Sequence, residues 1–334
     1  MHKNRVKEAI LAPTRRRHFL VQSGALLASG WLCSGFAIQA AAAVPTSITP
    51  LPVIIDTDPG ADDVIALLLA LSAPDKLAIR GLTTVAGNVQ LRYTSRNTRM
   101  VREWANRADV AIYAGCDRPM LRPPIYAAEV HGTEGVTGVQ VFEPKQALAN
   151  GHAVQYLITT LLAASPKSIT IATLGPQTNL AMALIENPGI KQGIREIVMM
   201  GGAHFNGGNI TPAAEFNVFA DPHASDVVFK SGLPITVLPL DVTHKMLTSP
   251  ERIATLRKIG NKAGKIAADI LDAYVIHDMK QYGLPGGPVH DATTIAYLLR
   301  PDMFKGRMVN VEVETKEGLT FGETVVDYYH ATQR

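Results

Sequence analysis

Short apolar, β-branched runs alternate along this chain with longer amphipathic stretches, and Gly, Pro, Asn and Asp mark the connectors between them. Val53–Asp56 reads as a strand leading into helix Ala61–Ser72, and Leu77–Val85 as a strand leading into helix Gln90–Ala105. Val110–Tyr113 is a further strand that runs into a loop. The alternation then resumes with helix His152–Ala164, strand Ile169–Thr173, helix Gln177–Glu186 and strand Glu196–Met200. A glycine-rich loop, helix Pro222–Lys230 and strand Ile235–Pro239 follow. Helices over Pro250–Gly260, Lys262–Gln281 and Ala292–Arg300 come next, and strand Met308–Val313 closes the series. The strand runs are near-continuous in apolar residues, as expected where both faces of a sheet are covered. Repeated βα units of this kind predict an α/β fold: a single-domain, open, mostly parallel sheet with helices on both faces.

Polar and acidic residues gather just past several strand ends: Asp56-Thr57-Asp58, Gly87-Asn88, Leu174-Gly175-Pro176, Gly201-Gly202 and Asp241. In open α/β sheets ligands bind outside the carboxyl ends of the strands, so these segments should converge on one crevice. The densest is Asp56-Thr57-Asp58-Pro59-Gly60-Ala61-Asp62-Asp63, with four carboxylates between two apolar elements. Like charges crowded against low-dielectric walls are costly unless something positive neutralises them, which points to a divalent cation. The spacing is not that of an EF-hand, so other segments must complete the ligand set. Hard oxygen donors on an irregular turn suit Ca²⁺ better than the stricter Mg²⁺. Asn209, Glu215 and Asn217, in the Gly201–Asn217 stretch, offer donors and acceptors fit for a polyhydroxylated ligand. His290-Asp291, at an expected helix start, is a third group.

The N-terminus reads as an address. Lys3, Arg5, Lys7 and Arg15-Arg16-Arg17 precede an apolar stretch from Phe19 to Ala43 that ends in an alanine run. This is the layout of a cleaved export signal, and Arg16-Arg17 ahead of Phe19-Leu20 is similar to the twin-arginine pattern. Polar interruptions such as Gln22, Ser23 and Gln39 make it a poor membrane span. The expectation is a signal over residues 1–43 and a mature domain over 44–334, periplasmic or secreted, with no stable membrane anchor after cleavage. The formal net charge of +3 includes that basic signal, so the mature part is slightly acidic, at about −2. The basic isoelectric point therefore implies no nucleic-acid partner. Cys33 departs with the signal, which leaves Cys116 alone and excludes an intrachain disulfide in the mature part. Cys116 reads as a packed small side chain rather than a nucleophile.

Five segments in order carry a family resemblance: Asp56 to Asp63, Thr83-Thr84-Val85-Ala86-Gly87-Asn88, Gly175-Pro176-Gln177-Thr178-Asn179, Gly201–Asn217 and His290-Asp291. Together they resemble the nucleoside hydrolases, the inosine-uridine preferring ribohydrolases, over nearly the whole mature chain. The resemblance implies a Rossmann-like nucleoside hydrolase fold and cleavage of the N-glycosidic bond of small ribonucleosides to free base and ribose. It implies that Asp58, Asp63, Asp291 and the backbone carbonyl of Leu174 ligate a Ca²⁺ ion that also holds the ribose 2′- and 3′-hydroxyls and a water. Asp62, Asn88, Asn209, Glu215 and Asn217 would grip the sugar. Asp58 would be the general base, taking a proton as the ion-bound water attacks C1′. His290 would protonate the departing base, with His131, in the loop His131-Gly132-Thr133-Glu134-Gly135, as second choice on the substrate side. A homodimer or homotetramer is implied as well.

The chemistry is consistent with such a set. A divalent ion lowers the pKa of a water it holds, so a carboxylate can finish the deprotonation near neutral pH. The sugar passes through an oxocarbenium-like state, which carboxylates and amide oxygens stabilise. Asp56 reads as support behind the other ligands, and His204 and Asn206 as loop surface. Tyr274, His277 and Tyr282, at helical spacing, read as core rather than as stacking partners for a base. Gly135-Val136-Thr137-Gly138 departs from the family's usual pattern, and a shortened C-terminus lacking one βα unit is expected. Two other activities share some of these features. One is a metal-dependent phosphatase with Asp56 as nucleophile, the other a nucleoside-binding protein without turnover.

Overall fold

The computed structural model describes residues 49–332; the expected export signal lies outside them, as do the side chains of His277 and Tyr282. The first half of the chain contains β1 (Leu51–Thr57), α1 (Ala61–Leu71), β2 (Leu77–Thr84), α2 (Leu91–Trp104), β3 (Ile112–Ala114) and α3 (Ala128–His131). Next come α4 (Ala153–Ala163), β4 (Ile169–Thr173), α5 (Thr178–Glu186), β5 (Ile194–Met200), α6 (Phe216–Ala220), α7 (Pro222–Phe229), β6 (Ile235–Leu238) and α8 (Leu240–Thr243). The remainder is β7 (Leu247–Thr248), α9 (Pro250–Lys258), α10 (Lys262–Tyr282), β8 (Gly287–Pro288), α11 (His290–Leu299), β9 (Asn310–Val313) and β10 (Thr324–Asp327).

Six strands form one parallel sheet in the order β3-β2-β1-β4-β5-β6. Its direction of winding reverses between β1 and β4, which opens a crevice at their carboxyl ends. Asp56-Thr57-Asp58 leaves β1 and Leu174-Gly175 leaves β4 at that point, tied together where the Leu174 N–H donates to the Asp56 carbonyl at 2.8 Å. Alternation along β1 explains why its run is apolar on both faces. Val53 and Ile55 pack with α1 and α10, whereas Ile54 packs with α4 and α5 on the other side. Each such burial stabilises the fold by about 1.5–3 kcal/mol, so β1 is anchored just before its polar end.

The α1 start places charge deliberately. The Asp63 carboxylate accepts the Gly60 N–H at 3.0 Å, and Asp62 and Asp63 occupy the first turn, where the helix dipole favours negative charge. The chain end differs from expectation. Met308–Val313 does not extend the main sheet; Asn310–Val313 pairs antiparallel with β10 in a separate hairpin. Its connection from Glu314 to Glu323 is too short for a parallel crossover but suits a return strand. Helices α3, α6 and α8 lie in segments read as loops, because one turn of helix leaves no measurable period.

Candidate active site

Asp58, just past β1, and Asp63, in the first turn of α1, are fully buried and are held differently. Four donors converge on Asp63. The Thr57 hydroxyl (2.6 Å) and the Asp58 N–H (3.3 Å) reach Oδ1, and the Gly60 N–H (3.0 Å) and the Asn88 side-chain amide (3.0 Å) reach Oδ2. Asp58 accepts the Asn88 N–H on Oδ2 at 2.7 Å, while its Oδ1 has no hydrogen-bond partner. Glycines press on both of its oxygens. A Cβ at Gly87 or Gly175 would lie 2.1 Å from a carboxylate oxygen of Asp58, so only glycine fits at either position. Asp56 sits behind: Thr83 and Asn179 donate to its Oδ1 at 2.5 and 2.8 Å.

Asp62, Asp63 and Asp291 are buried and bring one oxygen each to within 4.8 Å of one another. The buried Oδ1 of Asp62 has no hydrogen-bond partner either. Among the described residues, neither Lys nor Arg lines the cavity beside them. Buried, uncompensated carboxylate oxygens form a donor set that fits a hard divalent cation. The three-carboxylate group contains Asp62 where the family resemblance named Asp58; Asp58 stands beside it with its free oxygen.

The second half of the site comes from β4, β5 and α6. Glu215 caps α6, accepting the Asn217 N–H at 2.9 Å and the Val218 N–H at 3.1 Å, and it also accepts the Gly202 N–H at 2.9 Å. Asn217 donates its amide to the carbonyls of Leu174 (2.7 Å) and Met200 (3.3 Å). Asn209 accepts the Phe216 N–H at 2.9 Å. The named Leu174 carbonyl is thus fixed in direction by Asn217.

A cavity of about 350 Å³ joins these halves. Asp62, Asn88, Leu174, Asn209, Glu215, Asn217, His290 and Asp291 line it, together with His131, Met200, Phe216 and Tyr274. Its volume falls in the range of small-ligand pockets, and polar and apolar groups share the wall. His131, expected in a solvent-exposed loop, is instead buried. Its Nδ1 accepts the Ala61 N–H at 3.1 Å and lies 4.0 Å from Asp62, and its ring stacks on Tyr274 at 5.7 Å. The α3 turn carries it inward. Tyr274, read as core, is buried and also faces the cavity. Thr243, 2.8 Å from His290 Nδ1, and His244, whose ring meets that of His290 at 5.7 Å, were not singled out from the sequence. Their signal is only the nearby Asp241, in a segment with no helical period.

Burial dominates the electrostatics. It pushes Asp56 up to about 7 and Asp62 and Asp63 to about 6, with Asp62 adding to the shift on Asp63. Asp58 is raised well above its ordinary value by burial first and then by Asp63. Asp291 is raised by burial, then by Asp62, Asp63 and Asp58. Burial also lifts Glu215 to about 7, against three N–H groups that pull it down. His290 goes the other way, lowered to about 3 by burial and then by His244 and His131. Its ring is packed among protein atoms although part of it opens to the cavity. Each raised carboxylate is a group that a bound cation would return to the ionised form. Cys116 is partly buried and its thiol is pushed up to about 12, mainly by burial, which suits packing and not nucleophilic attack.

Comparison with known proteins turns this geometry into a family assignment. The profile of the inosine-uridine preferring nucleoside hydrolases matches residues 53–334. The chain belongs to that family. It is 43% identical over 283 residues to the pyrimidine-specific ribonucleoside hydrolase RihA of Klebsiella pneumoniae, covering 84% of this chain and 90% of the relative. It is 44% identical over 276 residues to RihB of Escherichia coli, also named pyrimidine-specific, covering 82% and 87%. Among solved structures, a plant nucleoside hydrolase superposes with a TM-score of 0.80 at 30% identity, over 85% of this chain and 90% of that one. The purine-preferring ribonucleoside hydrolase of Gardnerella vaginalis gives 0.78, also at 30% identity, over 84% and 89%. The nucleoside hydrolase assignment leaves the phosphatase alternative without support, and the geometry agrees. Asp56, its required nucleophile, does not line the cavity, and its Oδ1 is taken by Thr83 and Asn179.

Proposed function

We propose that this nucleoside hydrolase cleaves the N-glycosidic bond of ribonucleosides with Ca²⁺ as its metal. The observation that carries the reading is that the buried carboxylates Asp62, with a partnerless oxygen, and Asp291 meet Glu215 and Asn217 in one cavity of nucleoside size. Asp58, Asp63, Asp291 and the Leu174 carbonyl would hold the ion, with Asp62 beside them. When bound, the ion supplies a positive charge that acidifies a water and orients the ribose diol.

This chain's own residues do the rest. Asp58, with one oxygen anchored by Asn88 and the other without a hydrogen-bond partner, takes the proton of the attacking water. Asp62, Asn88, Asn209, Glu215 and Asn217 hold the sugar, and the oxygens among them stabilise the positive charge that develops on its ring. His290 delivers a proton to the leaving base. At rest its depressed pKa keeps the ring neutral, so it donates from the form protonated by solvent, which the negative charge developing on the departing base favours, and it returns to neutral imidazole as the base takes the proton. His131 and Tyr274, stacked on each other in the cavity wall, flank the substrate. We assign pyrimidine ribosides as the preferred substrates, because the RihA and RihB relatives are closer in sequence than the purine-preferring structural neighbour.

A nucleoside panel tests this. Purified enzyme should release base and reducing sugar from uridine and cytidine, more slowly from inosine, and from none of them in EDTA until Ca²⁺ is restored. Undiminished turnover of 2′-deoxyribosides would argue against a grip on the 2′-hydroxyl, and activity indifferent to chelation would remove the metal. We further propose twin-arginine export to the periplasm and assembly as a dimer or tetramer. Cell fractionation with N-terminal sequencing, and sedimentation, check these; cytoplasmic protein starting at Met1, or a monomer, counts against them.

A further inference from the structure

We propose that Thr324, on the C-terminal hairpin, is a positioning residue for the sugar side of the site. The inference rests on the nucleoside hydrolase reading but concerns a residue outside the cavity wall. Thr324 is buried at the start of β10, and its hydroxyl pairs with both backbone groups of one residue. It accepts the Ala203 N–H at 3.0 Å and donates to the Ala203 carbonyl at 2.6 Å. Gly202, immediately before, has φ +77°, and a Cβ there would meet the Thr324 side chain at 3.0 Å. The threonine therefore lies flat against a left-handed turn that only glycine adopts readily.

That turn is what aims the sugar-side residues. Gly202 donates its N–H to Glu215 Oε2 at 2.9 Å, and its carbonyl accepts the Leu240 N–H at 3.0 Å. Glu215 in turn caps α6, whose first residues present Asn217 to the Leu174 carbonyl. Thr324 thus stands at the head of a path of hydrogen bonds, joined through the peptide between Ala203 and Gly202, that reaches Glu215, Asn217 and the Leu174 carbonyl. The hairpin's connecting turn also touches α6, where Phe321 meets Phe219 edge-on at 5.9 Å. Deleting the hydroxyl leaves the Ala203 N–H and C=O buried without partners, and the turn must shift to find new ones. A displacement of the sugar-binding groups by a fraction of an ångström costs rate rather than fold.

Thr324→Val removes both hydrogen bonds at nearly constant shape, and Thr324→Ser keeps them. We expect the valine enzyme to lose about tenfold in kcat/KM, by the same factor for uridine and inosine because the effect reaches the sugar. The serine enzyme should stay within about twofold of wild type. In a Glu215→Gln background the valine change should add less than about twofold, since both act through one contact. A folded valine enzyme with full kcat/KM, equal losses for valine and serine, or an undiminished tenfold loss in the Glu215→Gln background each overturns the proposal. Thr324→Ala serves the same comparison should the valine chain not fold. If wild type turns over neither nucleoside, the functional reading fails by itself, and titration of ribose into the same variants still tests Thr324. A wild type that neither turns over nucleosides nor binds ribose overturns both.

Discussion

The acidic turn and the Gly201–Asn217 loop meet at one cavity, yet they are built on opposite principles. The turn is largely local. Asp63 is held by Thr57, Asp58 and Gly60, all within six positions of it, with Asn88 the one distant donor. The loop is assembled from far away: Asp241 holds the N–H groups of residues 204–206, Thr324 holds Ala203, and Asn217 reaches back to Leu174. The turn carries the charges, where small displacements change chemistry. The loop carries backbone groups, amides and one carboxylate, Glu215, where small displacements change how well a sugar is gripped. Substitutions in the turn should therefore act on kcat, and those in the loop chiefly on KM.

The sharpest break in that contrast lies inside the turn. Asp58→Asn keeps an oxygen toward the Asn88 N–H and directs its amide to the position that has no partner, so it should fold normally. It removes the base and should lower kcat by about 10³-fold. Asp63→Asn sets an N–H group against two of the four donors, whichever way the amide turns, and should cost the same activity plus about 1–3 kcal/mol of stability. Steady-state rates and thermal melts separate the two; equal melting temperatures for both variants would contradict the geometry. Gly175→Ala comes next. Its methyl would sit 2.1 Å from Asp58 Oδ1, so the carboxylate must turn away, and kcat should fall about 10²-fold with all acidic residues intact. A KM change alone would show that the turn tolerates displacement.

The next effect is on stability and pH. Burial places Asp62 and Asp63 near 6 and Asp56 and Glu215 near 7, all above their unfolded values. A raised folded pKa means that the native chain holds its proton longer, so the contribution to stability is full below about pH 4 and is lost as pH rises through the folded value. In EDTA the melting temperature should therefore fall between about pH 5 and pH 7.5. Ca²⁺ binds the ionised form, so its stabilisation should grow over the same interval and exceed about 5 °C at the upper end. Scanning calorimetry with EDTA and with Ca²⁺ checks both signs. A melting temperature in EDTA that rises across the interval would place the carboxylates elsewhere.

The same contrast explains what was legible in the sequence. The Asp56–Asp63 turn, the strand before it and the helix after it form contiguous text, and β1, α1 and the parallel sheet followed from the apolar runs. His131 was named only through the family resemblance: its loop reads as polar, and the one-turn helix α3 and the stack on Tyr274 are what bring it inside. Thr243 and Thr324 were invisible because an isolated threonine carries no pattern; each matters through a partner 47 or 121 positions away. The tail strand Met308–Val313 was legible as a strand but its pairing with β10 was not, since an apolar run specifies burial and not the partner.

Asp241 gives the mildest prediction and the cleanest check on the loop's role. Its Oδ1 accepts the Phe205 and Asn206 N–H groups at 2.7 and 3.2 Å, and its Oδ2 accepts the His204 N–H at 2.8 Å. Asp241→Asn preserves the first pair and sets an amide against the His204 N–H. One bond is lost at a partly buried place, while Asn209 keeps its own tie to the Phe216 N–H. KM for the preferred nucleoside should rise about threefold with kcat unchanged, the size of one modest hydrogen bond. The matched comparison is Asp58→Asn, where kcat moves. A tenfold fall in kcat for Asp241→Asn would mean that the loop directs the chemistry as tightly as the turn does, and the division between a charged half and a gripping half would have to be abandoned.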